Sequence, residues 1–299
     1  MKIAFINIYQ NKVNRGAETF VKEVAARLSK NHEVDILTKI NFKKYDVVVP
    51  TNGRLQALMV RMITWLNDSK MVISGQSGAG LDDRVNLYSF PDAFVALSDH
   101  QYKWAKKVNP FVRVAKIPNG VDLSKFSSGS HKPQVVLSVG AFTKEKRHDL
   151  TIKAIAKLKD VKLIIVGGGG SEKSEIYDLG YKMLGKHGFE ILTVPNEAMP
   201  EVYKKSAIFA FPTVPWESFG IAMVEAMASG LPVVATDDPI RREIVGEAGV
   251  FVDPTNTEAY AEALRKALET NWGDKPRKQA EKFDWDEIAK EYENLFKSL

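Results

Sequence analysis

At 299 residues the chain is too long for one ordinary α/β unit and has room for two domains of roughly 130–150 residues each. It contains no cysteine, which excludes a disulfide framework and every thiolate chemistry and suits a reducing compartment. The net charge of +5 is unevenly spread: residues 1–130 hold 19 Lys and Arg against 11 Asp and Glu, and residues 131–299 hold 23 against 26. The first half is therefore the one suited to an anionic partner, unless its lysines only solvate the surface.

The N-terminal run Met1-Lys2-Ile3-Ala4-Phe5-Ile6-Asn7 reads as a strand and lacks the apolar region and cleavage site of a signal peptide. No uncharged apolar stretch reaches the roughly 18–20 residues that cross a bilayer. The expectation is a cytoplasmic protein, at most peripheral on the inner face of the membrane. Strands are predicted at 2–8, 33–38, 45–49, 70–74, 93–97 and 112–116, with helices at 16–29, 53–67 and 99–107. Residues 124–133, rich in Ser and Gly, read as a linker. Strands follow at 134–140, 161–166, 189–193, 207–211, 232–236 and 249–252, and after Pro254 the chain is helical with a break near 273–276. Apolar runs alternating with helical patterns predict parallel sheets, in two doubly wound α/β domains facing each other across a cleft. Ligands of such sheets bind beyond the carboxyl ends of the strands, so the site is expected between the domains.

The helix at 53–67 carries Leu55, Leu58, Met59, Met62, Trp65 and Leu66 on one stripe, with Arg54 and Arg61 beside it. It reads as the core-facing helix of a βαβ unit, with a place on anionic lipid as the alternative. Lys103, Trp104, Lys106, Lys107 and Arg113 form a second basic-aromatic stretch. No nucleic-acid motif accompanies the charge, and the oligomeric state is open.

The segment from Phe211 to Thr236 is the most informative for chemistry. A strand ending at about Phe211, a loop carrying Glu217 and a helix beginning near Ser218 would leave the Phe219 and Gly220 amides at a helix N-terminus, a ready anion site. Glu225, eight residues after Glu217, falls on a similar helical face and can accept hydrogen bonds from ribose hydroxyls. Glu217 can reach a sugar hydroxyl near the phosphates.

Two glutamates separated by seven residues and followed by Ala-Met-Ala-Ser-Gly-Leu-Pro-Val-Val-Ala-Thr resemble the signature of glycosyltransferase family 4. Its members are retaining enzymes of the GT-B fold, with two Rossmann-like domains and a nucleotide-sugar donor between them. The resemblance implies an N-terminal acceptor domain over 1–130, completed by a crossover helix at 284–299, and a donor domain over 131–283. Asn14-Arg15-Gly16-Ala17-Glu18 is similar to the family's Gly-Gly-Ala-Glu turn, with Gly16 letting the backbone approach the donor. Ile117-Pro118-Asn119-Gly120-Val121-Asp122 resembles the segment that closes the first domain. Val139-Gly140-Ala141-Phe142-Thr143-Lys144-Glu145-Lys146-Arg147 matches the diphosphate-gripping turn, with Lys146 on the family's lysine and Ala141 where an arginine usually stands. Arg147 or Lys144 is the candidate to replace that guanidinium. Gly168, in the run Gly167-Gly168-Gly169-Gly170, would lie beside the nucleotide, and Val194 in the loop that reads the base. Ser218, Phe219 and Gly220 would complete donor binding.

Many members carry a histidine after a central strand of the first domain. The matching run, Val72 to Gly80, has none. Gln76 and Ser77 are the candidate sugar or acceptor contacts there, and His100 is the candidate histidine. Of the others, His32, His131 and His187 read as surface turns and His148 as a helix residue after Arg147. The resemblance implies a metal-independent, hexosyltransferase-like retaining enzyme that needs no cofactor beyond its donor, a UDP-sugar favoured over a GDP-sugar. The acceptor would be a glycan, a lipid or a small molecule. The rivals are a catalytically silent nucleotide-sugar-binding partner subunit and a nucleotide-sugar epimerase on the same fold. An NAD-dependent dehydrogenase is disfavoured because the first turn lacks Gly-x-Gly-x-x-Gly.

Overall fold

The computed structural model describes residues 1–299 except Asn14, Ser130, His131 and Lys132. Thus Asn14 of the first-turn motif, and His131 with its neighbours in the expected linker, lie outside the described residues. The chain divides into two compact units, Met1–Gly120 with Phe283–Leu299, and Val121–Lys282.

The first unit runs β1 (Lys2–Ile6), α1 (Gly16–Leu28), β2 (Glu33–Leu37), β3 (Val47–Pro50), α2 (Arg54–Leu66), β4 (Lys70–Ser74), α3 (Leu81–Tyr88), β5 (Ala93–Ala96), α4 (Asp99–Val108) and β6 (Val114–Lys116). Its six strands are parallel in the order β2-β1-β3-β4-β5-β6. β3 and β5 are buried along their whole length, which is why they read as unbroken apolar runs rather than alternating ones. α1 buries Phe20, Val21, Val24, Ala25 and Leu28, which recur at helical spacing along one face.

α2 does the opposite. It turns Gln56, Ala57, Val60 and Thr64 inward and leaves Leu55, Leu58, Met59, Met62, Trp65 and Leu66 exposed. The core-facing assignment of its large apolar stripe is therefore reversed. Two stripes of helical spacing run along α2, and the one with Ala57 and Val60 packs with Ala4, Val48 and Met71 of the sheet core. Periodicity alone does not choose between them. α3 was not foreseen, because its inward side is polar: Asp83 and Asn86 are buried with Leu87.

The second unit runs β7 (Val135–Val139), a 3-10 turn at Lys144–Lys146, α5 (His148–Ile155), β8 (Lys162–Val166), α6 (Lys173–Gly188), β9 (Phe189–Leu192), α7 (Met199–Lys204), β10 (Ile208–Phe211), α8 (Ile221–Ala228), β11 (Val233–Thr236), α9 (Pro239–Val245), β12 (Gly249–Val252), α10 (Thr257–Glu269) and α11 (Lys275–Ala280). All six strands are again parallel, in the order β12-β11-β10-β7-β8-β9. The unit begins ten residues before the expected domain start at 131. Arg277 of α11 donates to the Leu123 carbonyl at 3.0 Å and to the Phe126 carbonyl, tying the residues after Val121 to this unit.

α12 (Trp285–Lys297) belongs to the first unit. Tyr292 packs on Phe20 of α1 with ring centroids 5.4 Å apart, and His32 Nε2 lies 2.9 Å from Glu293. A side chain at Gly120 would collide with Trp285, Ile288 and the Phe283 carbonyl, so that turn is held by close packing.

Candidate functional site

In the second sheet the strand order reverses between β7 and β10, and the crevice beyond such a reversal is where doubly wound sheets bind ligands. The turn after β7 carries Lys146 and the loop after β10 carries Glu217. Lys146 Nζ donates to Glu217 Oε2 at 2.7 Å, with both side chains about four-fifths buried. The two turns are joined through the backbone, since the Val214 amide donates to the Glu145 carbonyl at 3.0 Å.

The Glu217 loop is held by Arg241 of α9, a residue the sequence did not single out. Arg241 is fully buried and donates to Thr213 Oγ1 (2.8 Å) and to the carbonyls of Val214 (2.8 Å) and Glu217 (2.9 Å). Asp238 caps α9 through the Ile240 and Arg241 amides and lies 3.3 Å from the guanidinium. Burial lowers the Arg241 pKa, against the pull of Asp238 and Glu217. An arginine so placed stays charged. Phe211, at the end of β10, has Lys146 Nζ and the Arg241 guanidinium each 5.9 Å from its ring centre.

α8 begins at Ile221, three residues later than expected. Gly220 ends the loop with φ +89°, a left-handed backbone, and a Cβ there would press on the Phe211 ring and Met223. Phe219 is buried, and the first-turn amides of the helix belong to Ile221 and Ala222 rather than to Phe219 and Gly220. Glu217 and Ser218 therefore stand in the loop, not on the helical face of Glu225. Glu225 is on α8 and accepts a hydrogen bond from the hydroxyl of the buried Tyr203 at 2.9 Å. Burial, with Glu225 beside it, raises the Tyr203 pKa well above its ordinary value.

The glycine run after β8 is shaped by the turn after β7. A Cβ on Gly167 would lie 2.1 Å from the Gly140 carbonyl, and the Phe142 amide donates to the Gly169 carbonyl at 3.0 Å. Gly168 is exposed with open space on its Cβ side. Val194 is half-buried after β9, and Arg147 is half-buried with left-handed φ +50° between the Lys144–Lys146 turn and α5. His148, read only as a helix residue, is buried. Its Nδ1 lies 3.1 Å from Ser138 Oγ, and burial lowers its pKa to about 4 against the opposing backbone at Gly140.

The candidates of the first unit form no comparable pairing. Gln76 is engaged with a second amide: it donates to Asn119 Oδ1 at 3.0 Å, and Asn119 Nδ2 donates back at 2.9 Å. Gln76 also donates to Ser74 Oγ, which lies 3.0 Å from the Tyr292 hydroxyl. Ser77 is exposed beside it, and His100 is exposed in the first turn of α4. Behind this loop Asp83 is buried and accepts from Asn86 Nδ2 (3.0 Å) and Gln101 Nε2 (2.9 Å). Burial pushes its pKa up to about 7. Gly16 is exposed at the start of α1, while Glu18 turns inward and accepts from Asn7 Nδ2 at 3.3 Å. Among the described residues no cluster of three or more His, Asp or Glu could hold a metal ion.

Residues 121–284, more than half of the chain, match the model of the family Glycosyl transferases group 1. The chain is 32% identical over 177 residues to an uncharacterized glycosyltransferase of Methanocaldococcus jannaschii, covering 55% of this chain and 45% of that one. It is 26% identical over 223 residues to the phosphatidyl-myo-inositol mannosyltransferase of Mycolicibacterium smegmatis, covering 69% and 57%. The chain spans about half the length of these curated relatives. Among solved structures, the sucrose-phosphate synthase of Thermosynechococcus elongatus superposes with a TM-score of 0.83 at 18% identity, over 99% of this chain and 98% of that one. The HepE protein of Anabaena, in complex with UDP and glucose, superposes with a TM-score of 0.81 at 18% identity over the whole of both chains. The fold is thus GT-B, built from two Rossmann-like α/β units. The chain belongs to the group 1 glycosyl transferases.

Proposed function

We propose that this protein is a retaining, metal-independent glycosyltransferase of family 4. It moves a hexosyl group from a UDP-sugar, or less favoured a GDP-sugar, to a glycan, lipid or small-molecule acceptor in the cytoplasm. The observation that carries this reading is the Lys146–Glu217 pair at the switch point of the second sheet. Lys146 offers a fixed cation to the leaving diphosphate, whose negative charge grows as the sugar–oxygen bond breaks. Glu217 takes a sugar hydroxyl and Glu225 the ribose. The first-turn amides of α8, Ser218, Gly168 and Arg147 line the diphosphate, and Val194 reads the base. In the unliganded protein Glu217 holds Lys146, so a donor that takes up both groups exchanges one ion pair for two interactions with itself.

Transfer with retention breaks the bond between the anomeric carbon and the phosphate oxygen. The acceptor oxygen bonds to that carbon from the same face, and its proton passes to the departing phosphate oxygen. No protein base is required by this balance, which agrees with Gln76 and Ser77 standing where a histidine is common. In this reading Gln76, Ser77 and His100 contact sugar or acceptor, and Gly16 lets the backbone approach.

Ala141, in place of the usual arginine, favours one rival, a catalytically silent nucleotide-sugar-binding partner. Release of free UDP or GDP from a panel of nucleotide sugars separates the two. The expected result is turnover of one donor, lowered at least about 100-fold in Glu217→Ala and Lys146→Ala. Anomeric NMR of the product should show retention. Donor binding without turnover, with acceptor extracts supplied, would support the silent partner, and a product still attached to nucleotide would point to an epimerase.

A further inference from the structure

We infer that the outward face of α2 docks on an anionic lipid bilayer, an assignment independent of the glycosyl-transfer reading. Six large apolar side chains of this 13-residue helix stand at helical spacing on its solvent side, with exposures from 44% for Leu58 to 81% for Leu66. Soluble proteins rarely expose a contiguous apolar stripe of this kind unless it meets a partner. At about 20 Å the helix is too short to cross a membrane and suits one lying in the interface. Trp65 closes the stripe, with the Arg61 guanidinium 4.9 Å from its ring, and Arg61 is itself paired with Asp92 at 2.6 Å. An indole beside a cation is the residue type that settles at the headgroup level.

The stripe continues along one edge of the sheet. Each helix of a parallel sheet ends just ahead of the next strand, so the turns leading into β4, β5 and β6 share that edge. Leu66 ends α2 ahead of β4, and Phe90 and Phe111 stand in the turns into β5 and β6; all three are exposed, Phe111 at 87%. Asn67 Nδ2 donates to the Phe42 carbonyl, which brings the exposed Phe42 to the end of α2.

Charge decides what covers this face. Residues 38–113, which span it, carry eleven Lys and Arg against six Asp, and α2 contains no acidic residue. Lys39 and Lys44 are exposed beside Phe42, and Lys106 and Lys107 are exposed in the last turn of α4. Asp68 is the exposed acidic residue just after α2, and the excess of Lys and Arg around it and the apolar stripe is complementary to a negatively charged leaflet. A second copy would oppose two like-charged faces, which disfavours self-association.

The test is co-sedimentation of the full chain with phosphatidylcholine vesicles, with and without phosphatidylglycerol, at low and high salt. Binding is expected only to the anionic vesicles and should weaken as salt rises. Met62→Ser/Trp65→Ser/Leu66→Ser should weaken it at least about tenfold, and Lys39→Glu/Lys44→Glu/Lys106→Glu/Lys107→Glu should do so while leaving the apolar stripe intact. These side chains are exposed, so melting temperatures should hold. Were the triple variant unstable, quenching of tryptophan fluorescence by brominated lipid, lost in Trp65→Phe, reads the same contact. Absence of binding to anionic vesicles, or binding undiminished in the apolar variant, overturns the proposal. So does a wild-type dimer in sedimentation that the triple variant converts to monomer, which would assign the face to a second copy.

Discussion

The two units solve the same packing problem with six parallel strands each, yet they organise their strand ends with different chemistry. In the second unit a buried cation, Arg241, gathers the loop carrying Glu217, and that loop meets Lys146 across the reversal in strand order. In the first unit the loop after β4 is held by neutral groups: the paired amides of Gln76 and Asn119, Ser74 with Tyr292, and Gln101 bridging Asp83 and the Gly75 carbonyl. Fixed charge at the strand ends suits the role proposed for the second unit, stabilising a leaving diphosphate. A neutral network suits one that shapes a surface. The outer surfaces differ as well, since the apolar stripe of α2 belongs to the first unit.

This contrast can be broken most forcefully at Arg241. Arg241→Met should destabilise the protein by about 3–5 kcal/mol, because Asp238 and three loop acceptors lose a buried partner. Chemical denaturation measures it. Gln76→Ala, which interrupts the neutral network, should remove only about 1–2 kcal/mol, and equal losses at the two sites would dissolve the distinction.

The buried titrating groups give the units opposite responses to pH. His148 has a folded pKa of about 4 against an ordinary 6.5, so between these values the unfolded chain binds a proton that the native state refuses. Its contribution is complete above pH 6.5 and is lost as pH falls towards 4. Asp83 has a folded pKa of about 7 against an ordinary 3.8, so the native state holds a proton that the unfolded chain releases. Its contribution is complete below about pH 4 and is lost as pH rises to 7. Each effect is on the order of 2–4 kcal/mol. Between pH 4 and 7 the two slopes oppose each other, so stability over that range should rise with pH in Asp83→Asn, where only His148 remains, and fall with pH in His148→Phe, where only Asp83 remains. An unchanged profile in either variant would remove that group from the comparison.

A smaller effect is expected at Tyr203, whose hydroxyl bonds Glu225 and the Ala222 carbonyl on α8. Tyr203→Phe keeps the ring packed on Phe126 and deletes the hydroxyl that donates to Glu225 at 2.9 Å and to the Ala222 carbonyl at 3.3 Å. The KM for the donor should rise roughly 5- to 20-fold with little change in kcat, as for the loss of about 1–2 kcal/mol of positioning. A fall in kcat instead would tie Glu225 to the reacting end of the donor.

Much of this was legible before folding. The twelve strands lie within two residues of their predicted ends, because buried parallel strands are short apolar runs bounded by turn residues. The run from Phe211 to Thr236, with Lys146, pointed to a glycosyltransferase by its residues alone, and the model of the group 1 glycosyl transferases covers those residues. Four features depended on the tertiary structure. α8 starts only at Ile221, after a left-handed Gly220 at which Phe211 and Met223 leave no room for a Cβ. α3 is helical over a polar buried face whose partners come from elsewhere in the chain. Arg241 reads as an ordinary helix charge until β10 and α9 bring its guanidinium under the loop of Glu217. On α2, periodicity marks two competing stripes, and only packing against Ala4, Val48 and Met71 selects the smaller one for the core. Local propensity and hydrophobic period are properties of neighbours along the chain. Burial of a charge, or exposure of an apolar face, depends on groups distant in sequence that only the fold brings together.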